Sequence, residues 1–303
     1  MGRKPITRRD FLKAAAGLPV AGAILPALTK AASSGQPVPG TELKKAKVVL
    51  IRDKDVLDDI GHIRYEVIER MMDQAVCTLT GASSPVEAWR QLIKADDTVG
   101  IKSNVWSYLP TPKELEEYLK RRVMDCGVPE DRIGISDRGV LKHPIFQKAT
   151  ALINARPGRT HHWSGMGTCI KNYIMFVPRP AEWHSDSCAD LAKIWFLPEV
   201  KGKTRLNILV MLTPLFHGIG PHHFSKQYTW PYCGLVVSQD PVAADATGLR
   251  ILQAKRKEYF GEERPLQPTP HHIFLAETRH GLGMASPEKI ELIKLGWQEG
   301  ILV

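Results

Sequence analysis

The amino-acid sequence predicts an α/β protein whose mostly parallel, Rossmann-like sheet is flanked by helices. Short apolar runs alternate with amphipathic stretches of helical spacing between residues 46 and 137. A further apolar run, LNILVML at residues 206–212, is typical of a strand in the centre of a parallel sheet. Between them, residues 155–204 are irregular and rich in Trp, His and Pro, so the pattern predicts no regular element there.

The first half of the domain alternates strands with helices. Ser84 and Pro85 are typical of a helix start, and Gly127 of a helix end. The expected elements are strand 47–52, helix 64–79, helix 85–93, strand 97–101, helix 112–126 and strand 132–136. Such alternation predicts parallel strands joined by right-handed crossovers.

The second half adds two strands and one long helix. After the apolar strand 206–212, a strand is expected at 234–237. Asp240 and Pro241 then begin a helix that runs to about Lys257. A Pro-rich loop at 265–270 and one or two short helices complete the chain. Residues 46–303 are therefore expected to form a single α/β domain, divisible into sub-lobes 46–155 and 156–303.

The N-terminal sequence predicts an export signal. The apolar run Ala14–Leu28 is 15 residues long, whereas a membrane-spanning helix needs roughly 20. Residues 7–13, TRRDFLK, match the twin-arginine pattern position for position. We therefore expect a twin-arginine signal peptide at 1–34, a linker at 35–45, and export of the folded protein to the periplasm or another extracytoplasmic space. The expected partner is the twin-arginine translocation machinery. No stable membrane span is expected after cleavage, although an uncleaved anchor stays an alternative.

Charge and cysteine content exclude several classes of function. The net charge of +9 falls to +4 when residues 1–34, which carry +5, are removed. No basic stripe with interleaved aromatic residues remains, so nucleic-acid binding is not expected. The five cysteines contain no C-x-x-C pair, which argues against a zinc ribbon or a ferredoxin cluster. They are interpreted as buried small apolar residues, with one or two disulfides as the alternative.

Polar residues follow the predicted strands at their carboxyl ends, where open α/β sheets bind ligands. The candidate catalytic residues are Lys102, Asp137 and His217. The candidate ligand-binding residues are Asn104, Lys171, Asn172, Asp240 and Asp245. The glycines of GMGTCIKNY, residues 165–173, suggest a backbone turn that could wrap an anion beside Lys171. Each residue alone is compatible with an ordinary loop, and their convergence is what indicates a site.

A second observation marks Asp245 as a candidate site residue. It shares a helix face with the apolar residues Leu249 and Leu252. A carboxylate on an apolar face costs several kcal/mol unless it is paired or bound to a metal. The expected partner is a metal or one of five side chains: Lys102, Lys171, His217, His222 and His223. A purely structural ion pair is the alternative.

The three histidines of that set form the candidate metal site. His217, His222 and His223 lie in a Gly- and Pro-containing loop, so their imidazoles could converge on a divalent metal ion. The spacing matches no specific zinc signature, and surface histidines are the alternative.

The chain resembles the family designated domain of unknown function 362. The resemblance rests on five segments: VGIKSNV (99–105), IGISDRG (133–139), GTCIKNY (167–173), GLVVSQDPVAADATGLRIL (234–252) and RHGLGMASPEKIELIKLGW (279–297). It implies that the matching positions Lys102, Asn104, Asp137, Lys171, Asn172, Asp240 and Asp245 belong to the site. Some family members are fused to ferredoxin-like modules, and this chain lacks their cysteine pattern. The family implies no reaction.

Two functions are compatible with these observations. The first is an exported enzyme whose polar cleft holds a metal or a small anionic cofactor or substrate. The alternative is a non-catalytic factor that binds a metal or cofactor, or helps another exported protein to mature. A partner-binding role for the Trp-rich middle segment is a third, weaker hypothesis.

Overall fold

The predicted alternation of strands and helices is present in the computed structural model, which describes residues 45–218 and 224–303. The predicted signal peptide and almost all of the linker lie outside the described residues. Among the helices that are described, none combines the length and apolar character needed to cross a membrane.

A single mixed sheet forms the centre of the described domain. Its eight strands are β1 (Ala46–Arg52), β2 (Val99–Lys102), β3 (Ile133–Ser136), β4 (Ala151–His161), β5 (Gly165–Gly167), β6 (Thr204–Leu215), β7 (Gly234–Ser238) and β8 (Ile290–Gly296). The order across the sheet is β3-β2-β4-β6-β7-β1-β8, and β5 pairs with β4. Four of the pairings are parallel, namely β2 with β3, β2 with β4, β4 with β6 and β1 with β8. The predicted fold class is therefore confirmed.

Besides the short segment Ser185–Cys188, whose Asp186 and Ser187 have non-helical backbone angles, seven α-helices are found in the described residues, and several of their ends carry the expected sequence signals. They are α1 (Tyr65–Thr80), α2 (Pro85–Leu92), α3 (Lys113–Asp125), α4 (Pro144–Lys148), α5 (Cys169–Asn172), α6 (Pro241–Phe260) and α7 (His272–Thr278). The Ser84 side chain accepts a hydrogen bond from the Glu87 amide at the start of α2. The left-handed Gly81 and Gly261 end α1 and α6.

Two apolar cores cover the two faces of the sheet. Helices α1, α2 and α3 pack on the face that presents Ile101, Ile153 and Ile208. Helix α6 packs on the opposite face, against residues that include Leu152 and Leu209. Because neighbouring residues of a strand point to opposite faces, Lys102, Asn154 and Asn207 point towards α6. All five cysteines are free, and all except Cys77 are buried, as the small-residue interpretation predicts.

The sequence analysis is wrong about three segments that are strands. β4 and β5 lie wholly or partly in the stretch 155–204 that was expected to be irregular, and β8 lies in the tail where short helices were expected. The polar residues of β4 hide its pattern, since Asn154, Arg156 and Arg159 interrupt the apolar run. β8 alternates buried and exposed residues, as expected for a strand at the edge of a sheet.

The direction of β7 also differs from the expectation. β7 is antiparallel to both of its neighbours, β6 and β1. Ser238 at its carboxyl end pairs with Asn207 near the start of β6, whereas Gly234 pairs with Met211. Asp240, which follows β7, therefore lies at the opposite end of the sheet from the carboxyl ends of β4 and β6.

Candidate functional site

A row of polar residues crosses the buried sheet on the side of α6. Strand register aligns Ser136 of β3, Lys102 of β2, Asn154 of β4, Asn207 of β6 and Ser238 of β7. The Asn154 Nδ2 donates to Asn207 Oδ1 at 3.0 Å, and Asn207 Nδ2 donates to the Gln239 carbonyl at 3.2 Å. Five polar residues in register on neighbouring strands cannot be explained by apolar packing, and they define the floor of the candidate site.

Lys102 and Asp137 form a buried ion pair at one end of this row. The Lys102 Nζ lies 2.5 Å from Asp137 Oδ1 and also donates to the Ser103 carbonyl at 2.7 Å. The second carboxylate oxygen of Asp137 accepts from the Val105 amide at 3.0 Å. Lys102 is completely buried, and Asp137 is 8% exposed. The predicted proximity of Lys102 and Asp137 is thus confirmed.

Burial sets the protonation behaviour of this pair. It lowers the pKa of Lys102 to about 8, against the attraction of the Asp137 carboxylate. Burial also acts to raise the pKa of Asp137, but the Lys102 ammonium, the Val105 amide and the Arg156 charge together outweigh it, so the pKa of Asp137 stays below its usual value. The lysine can therefore lose its proton close to neutral pH, as a general acid or base must.

Asn172 connects the ion pair to the polar row. Its Oδ1 accepts from Lys102 Nζ at 3.3 Å and from Asn104 Nδ2 at 3.4 Å. Its Nδ2 donates to Asn154 Oδ1 at 2.8 Å. Three predicted site residues, Lys102, Asn104 and Asn172, are therefore in one hydrogen-bonded network with Asp137.

Lys171 lies one residue away on α5 and is also buried. Its Nζ is 3.6 Å from the Cys188 Sγ. Burial lowers the pKa of Lys171 to about 8, with the neighbouring thiol opposing the change. Cys188 ends a run of three residues with positive φ, which is an uncommon backbone conformation outside glycine.

Asp245 is completely buried, as its helix face predicted, but its partner differs from the expectation. Its two carboxylate oxygens accept from the amides of Cys169 and Ile170, at 2.7 and 2.8 Å. Burial raises the pKa of Asp245 to about 7, and the two amides oppose that change. Backbone amides therefore hold this carboxylate, and no described contact joins it to Lys102, Lys171 or His217, while His222 and His223 lie outside the described residues. The glycine-containing turn predicted to wrap an anion wraps the carboxylate of Asp245.

Asp240 acts as a helix cap away from these groups. Its Oδ1 accepts from the Val242 and Ala243 amides, and its Oδ2 accepts from the Met284 amide at 2.9 Å. Asp240 was expected to join Lys102 in the polar cluster at one end of the sheet, but no described contact connects the two residues, because β7 runs antiparallel to its neighbours.

His217 also fails to join the pair. Its Nδ1 lies 3.1 Å from the Arg256 Nη1, and its ring packs on Tyr228 and Phe260. Burial lowers the pKa of His217, and the Arg256 charge adds to the effect. Arg256 is eleven residues beyond Asp245 on α6, a distance of about 16 Å along the helix axis. No described contact connects His217 with the ion pair, so its predicted catalytic role gains no support.

The predicted metal site is only partly within the described residues. His222 and His223 lie outside them, so their assignment stays a prediction. Within residues 45–218 and 224–303, no group of three or more His, Cys, Asp or Glu side chains is arranged to hold a metal ion.

Two buried arginines of β4, Arg156 and Arg159, are absent from the sequence predictions. They are 4% and 5% exposed. The charge of Arg156 interacts with Asp137 and Asp245, so this guanidinium lies among the groups described above. The signal was the alternation in ALINAR at 151–156, where Asn154 and Arg156 share one face of a strand whose other face is apolar.

An apolar cavity of about 450 Å³ opens on the other side of the same sheet edge. Asn104 and Val105 line it, together with apolar residues that include Leu109 and Leu212. Two residues that line the cavity also belong to the polar network. The Val105 amide donates to Asp137, and the Asn104 side chain donates to Asn172. Its size suits a small-molecule ligand.

Together, these features define an α/β protein with a buried, predominantly cationic network at the carboxyl ends of the parallel strands β2 and β3. Residues 127–250 match the family described as Domain of unknown function (DUF362), the family that the sequence resembles. The matched segment contains Asp137, Lys171, Asn172 and Asp245. No curated protein and no solved structure matches the chain significantly.

Proposed function

We propose that this chain is an exported enzyme that transfers a proton to or from a small anionic substrate, with Lys102 and Asp137 as the proton-transfer pair. The export part of the proposal rests on the twin-arginine pattern at residues 7–13. The catalytic part rests on one observation, the buried ion pair at the carboxyl ends of β2 and β3.

The location of the pair supports a catalytic role. Ligands of open α/β sheets bind beyond the carboxyl ends of the strands, and Lys102 and Asp137 end or follow β2 and β3. Burying an ammonium and a carboxylate seldom stabilises a fold relative to apolar residues of similar size. A buried ion pair at this position is therefore better explained by a role in catalysis than by a contribution to stability.

The chemistry of the pair supports the type of reaction. A lysine with a pKa of about 8 exchanges its proton near neutral pH. Asp137 is the slightly exposed member and is bound to the amide of Val105, which lines the apolar cavity. A substrate in that cavity would reach the pair past Asn104 and Val105, which line it, and Lys102 would set the proton affinity of Asp137.

The experiment is a screen for solvent proton exchange. The purified chain is incubated in D₂O with a mixture of small carboxylates and phosphate esters, and deuterium uptake is followed by mass spectrometry. The proposal predicts uptake by at least one compound, reduced about 100-fold in Lys102→Gln. Lys120→Gln is the matched control, because Lys120 forms an exposed ion pair with Glu130 at the same distance of 2.5 Å.

A second candidate is the non-catalytic binding factor. The complete burial of Lys102 favours it, since a lysine that never meets solvent can hold a ligand in place without chemistry. Exchange by Lys102→Gln at the rate of the unchanged chain would contradict the enzyme proposal. Ligand retention without any exchange would favour the binding factor.

A further inference from the structure

The buried arginines in the described residues fall into two groups, according to whether backbone carbonyls accept their hydrogen bonds. Arg52 donates to the carbonyls of Tyr232 and Glu299, and Arg256 donates to those of Phe216, Arg264 and Pro265. These two guanidinium groups are satisfied by the backbone, which is how a buried arginine is ordinarily stabilised.

Arg156 and Arg159 have no such partners. The Nε of Arg156, and the Nε and Nη1 of Arg159, are fully buried without a hydrogen-bond partner. Neither side chain donates a hydrogen bond or forms an ion pair with another residue in the described part of the chain. An unpartnered buried donor is destabilising, and more so when it is charged, so both positions lower the stability of the protein unless a ligand supplies acceptors.

The surrounding charges do not neutralise the two arginines. Lys102 and Lys171 add two more buried cations, whereas the buried carboxylates beside them are Asp137 and Asp245. Asp137 already binds Lys102 and the Val105 amide, and Asp245 already binds two backbone amides. The cluster therefore has an excess of positive charge and unused donors.

Local packing holds both guanidinium groups in position. The Arg159 Cζ lies 4.1 Å above the centre of the Trp106 ring, which fixes the plane of the guanidinium and leaves its N–H edges free. Gly167 lies against Arg156, where a Cβ would come within 2.9 Å of the Arg156 Nη2. Positioned donors without acceptors are the arrangement of a binding site before its ligand arrives.

We propose that Arg156 and Arg159 bind the oxyanion of a small ligand, either a carboxylate or a phosphate group. Planar guanidinium groups bind such oxygens with two parallel charge-assisted hydrogen bonds. The site deepens the proposed function, on which its connection with a substrate rests, by naming the group through which that substrate is held.

The test is calorimetric titration of the full chain with three probes: inorganic phosphate, succinate and chloride. Phosphate and succinate distinguish the two sources of the oxyanion, and chloride measures non-specific charge effects. At least one oxyanion should bind more tightly than chloride. Arg156→Gln and Arg159→Gln should each weaken that binding by about tenfold or more, because each removes charge-assisted hydrogen bonds. The exposed Arg132→Gln is the control and should bind as the unchanged chain does.

A second measurement covers variants that fold poorly. In buffer free of oxyanions, Arg159→Met should melt at the same temperature as the unchanged chain or higher, because an uncompensated buried charge has been removed. A lower melting temperature would show that the charge is compensated in the free protein and would overturn the proposal. Oxyanion binding that is no tighter than that of chloride, or that is unaffected by both arginine substitutions, would also overturn it.

The two proposals fail separately. Absence of proton exchange with intact oxyanion binding would remove the reaction and keep the site. Proton exchange that persists when both arginine variants bind oxyanions normally would remove the site and keep the reaction.

Discussion

The Lys102–Asp137 pair should behave as one energetic unit when either member is changed. In Lys102→Met the Asp137 carboxylate keeps only its hydrogen bond from the Val105 amide. In Asp137→Asn the Lys102 ammonium keeps the Ser103 carbonyl and Asn172 Oδ1 as acceptors, but loses its opposite charge. Each single substitution therefore leaves a buried charge without its hydrogen-bonded counter-ion.

The expected magnitudes follow from burial. Removing one member of a buried pair costs about 3–5 kcal/mol of unfolding free energy. The double variant leaves no uncompensated charge, so its loss should be clearly smaller than the sum of the two single losses. We expect a coupling energy of about 2–3 kcal/mol, near the upper end for residues in direct contact.

Urea unfolding followed by circular dichroism measures all four members of the cycle. The matched control is the same cycle on Lys120 and Glu130, which have the same charged-atom separation of 2.5 Å on the exposed surface. That cycle should give no resolved coupling, because exposed pairs are screened by water. Additive losses at Lys102 and Asp137, or equal coupling in the two cycles, would refute the reasoning.

Two further predictions concern Asp245 and export. The folded-state pKa of Asp245, about 7, is raised above its ordinary 3.8, so its contribution to stability is present at low pH and is lost as the pH rises through that window. Asp245→Asn should remove this decline, which amounts to at most about 4 kcal/mol. At low pH the variant should be about as stable as the unchanged chain, because the protonated carboxyl and the amide each offer one carbonyl oxygen to the two backbone amides. Urea titrations between pH 4 and 8 check both statements, and an unchanged pH slope would contradict the first. Arg8→Lys with Arg9→Lys should hold the precursor in the cytoplasm, whereas Arg3→Lys, outside the motif, should not. Cell fractionation measures this, and an unchanged periplasmic yield would remove the proposed location.

The sequence predicted the first half of the sheet well because its strands and helices follow simple periods. The lysine and carboxylate that follow β2 and β3 could be brought together from sequence, since parallel neighbours place their carboxyl ends at one edge. The same rule misplaced Asp240, because nothing in the residues of β7 shows that the strand runs the other way.

β4 was missed because polar residues, which form part of the candidate site, interrupt its apolar pattern. A central strand is recognised by apolar residues, and β4 devotes alternate positions to Asn154 and Arg156. Local rules of sequence are expected to fail where a chain serves function at the expense of packing. The partner of Asp245 was missed for a different reason, because backbone amides are present at every residue and leave no signature in the sequence.

The titration of Lys102 is the most direct test of the proposed proton-transfer pair. Lysine labelled with ¹³C at Cε reports ammonium ionisation by NMR, and the Lys102 signal is assigned by its absence from the spectrum of Lys102→Arg. The account predicts a midpoint near pH 8, because complete burial outweighs the attraction of Asp137. A midpoint at the ordinary value of 10.5 or above would contradict it, since the lysine would then stay charged throughout the working pH range.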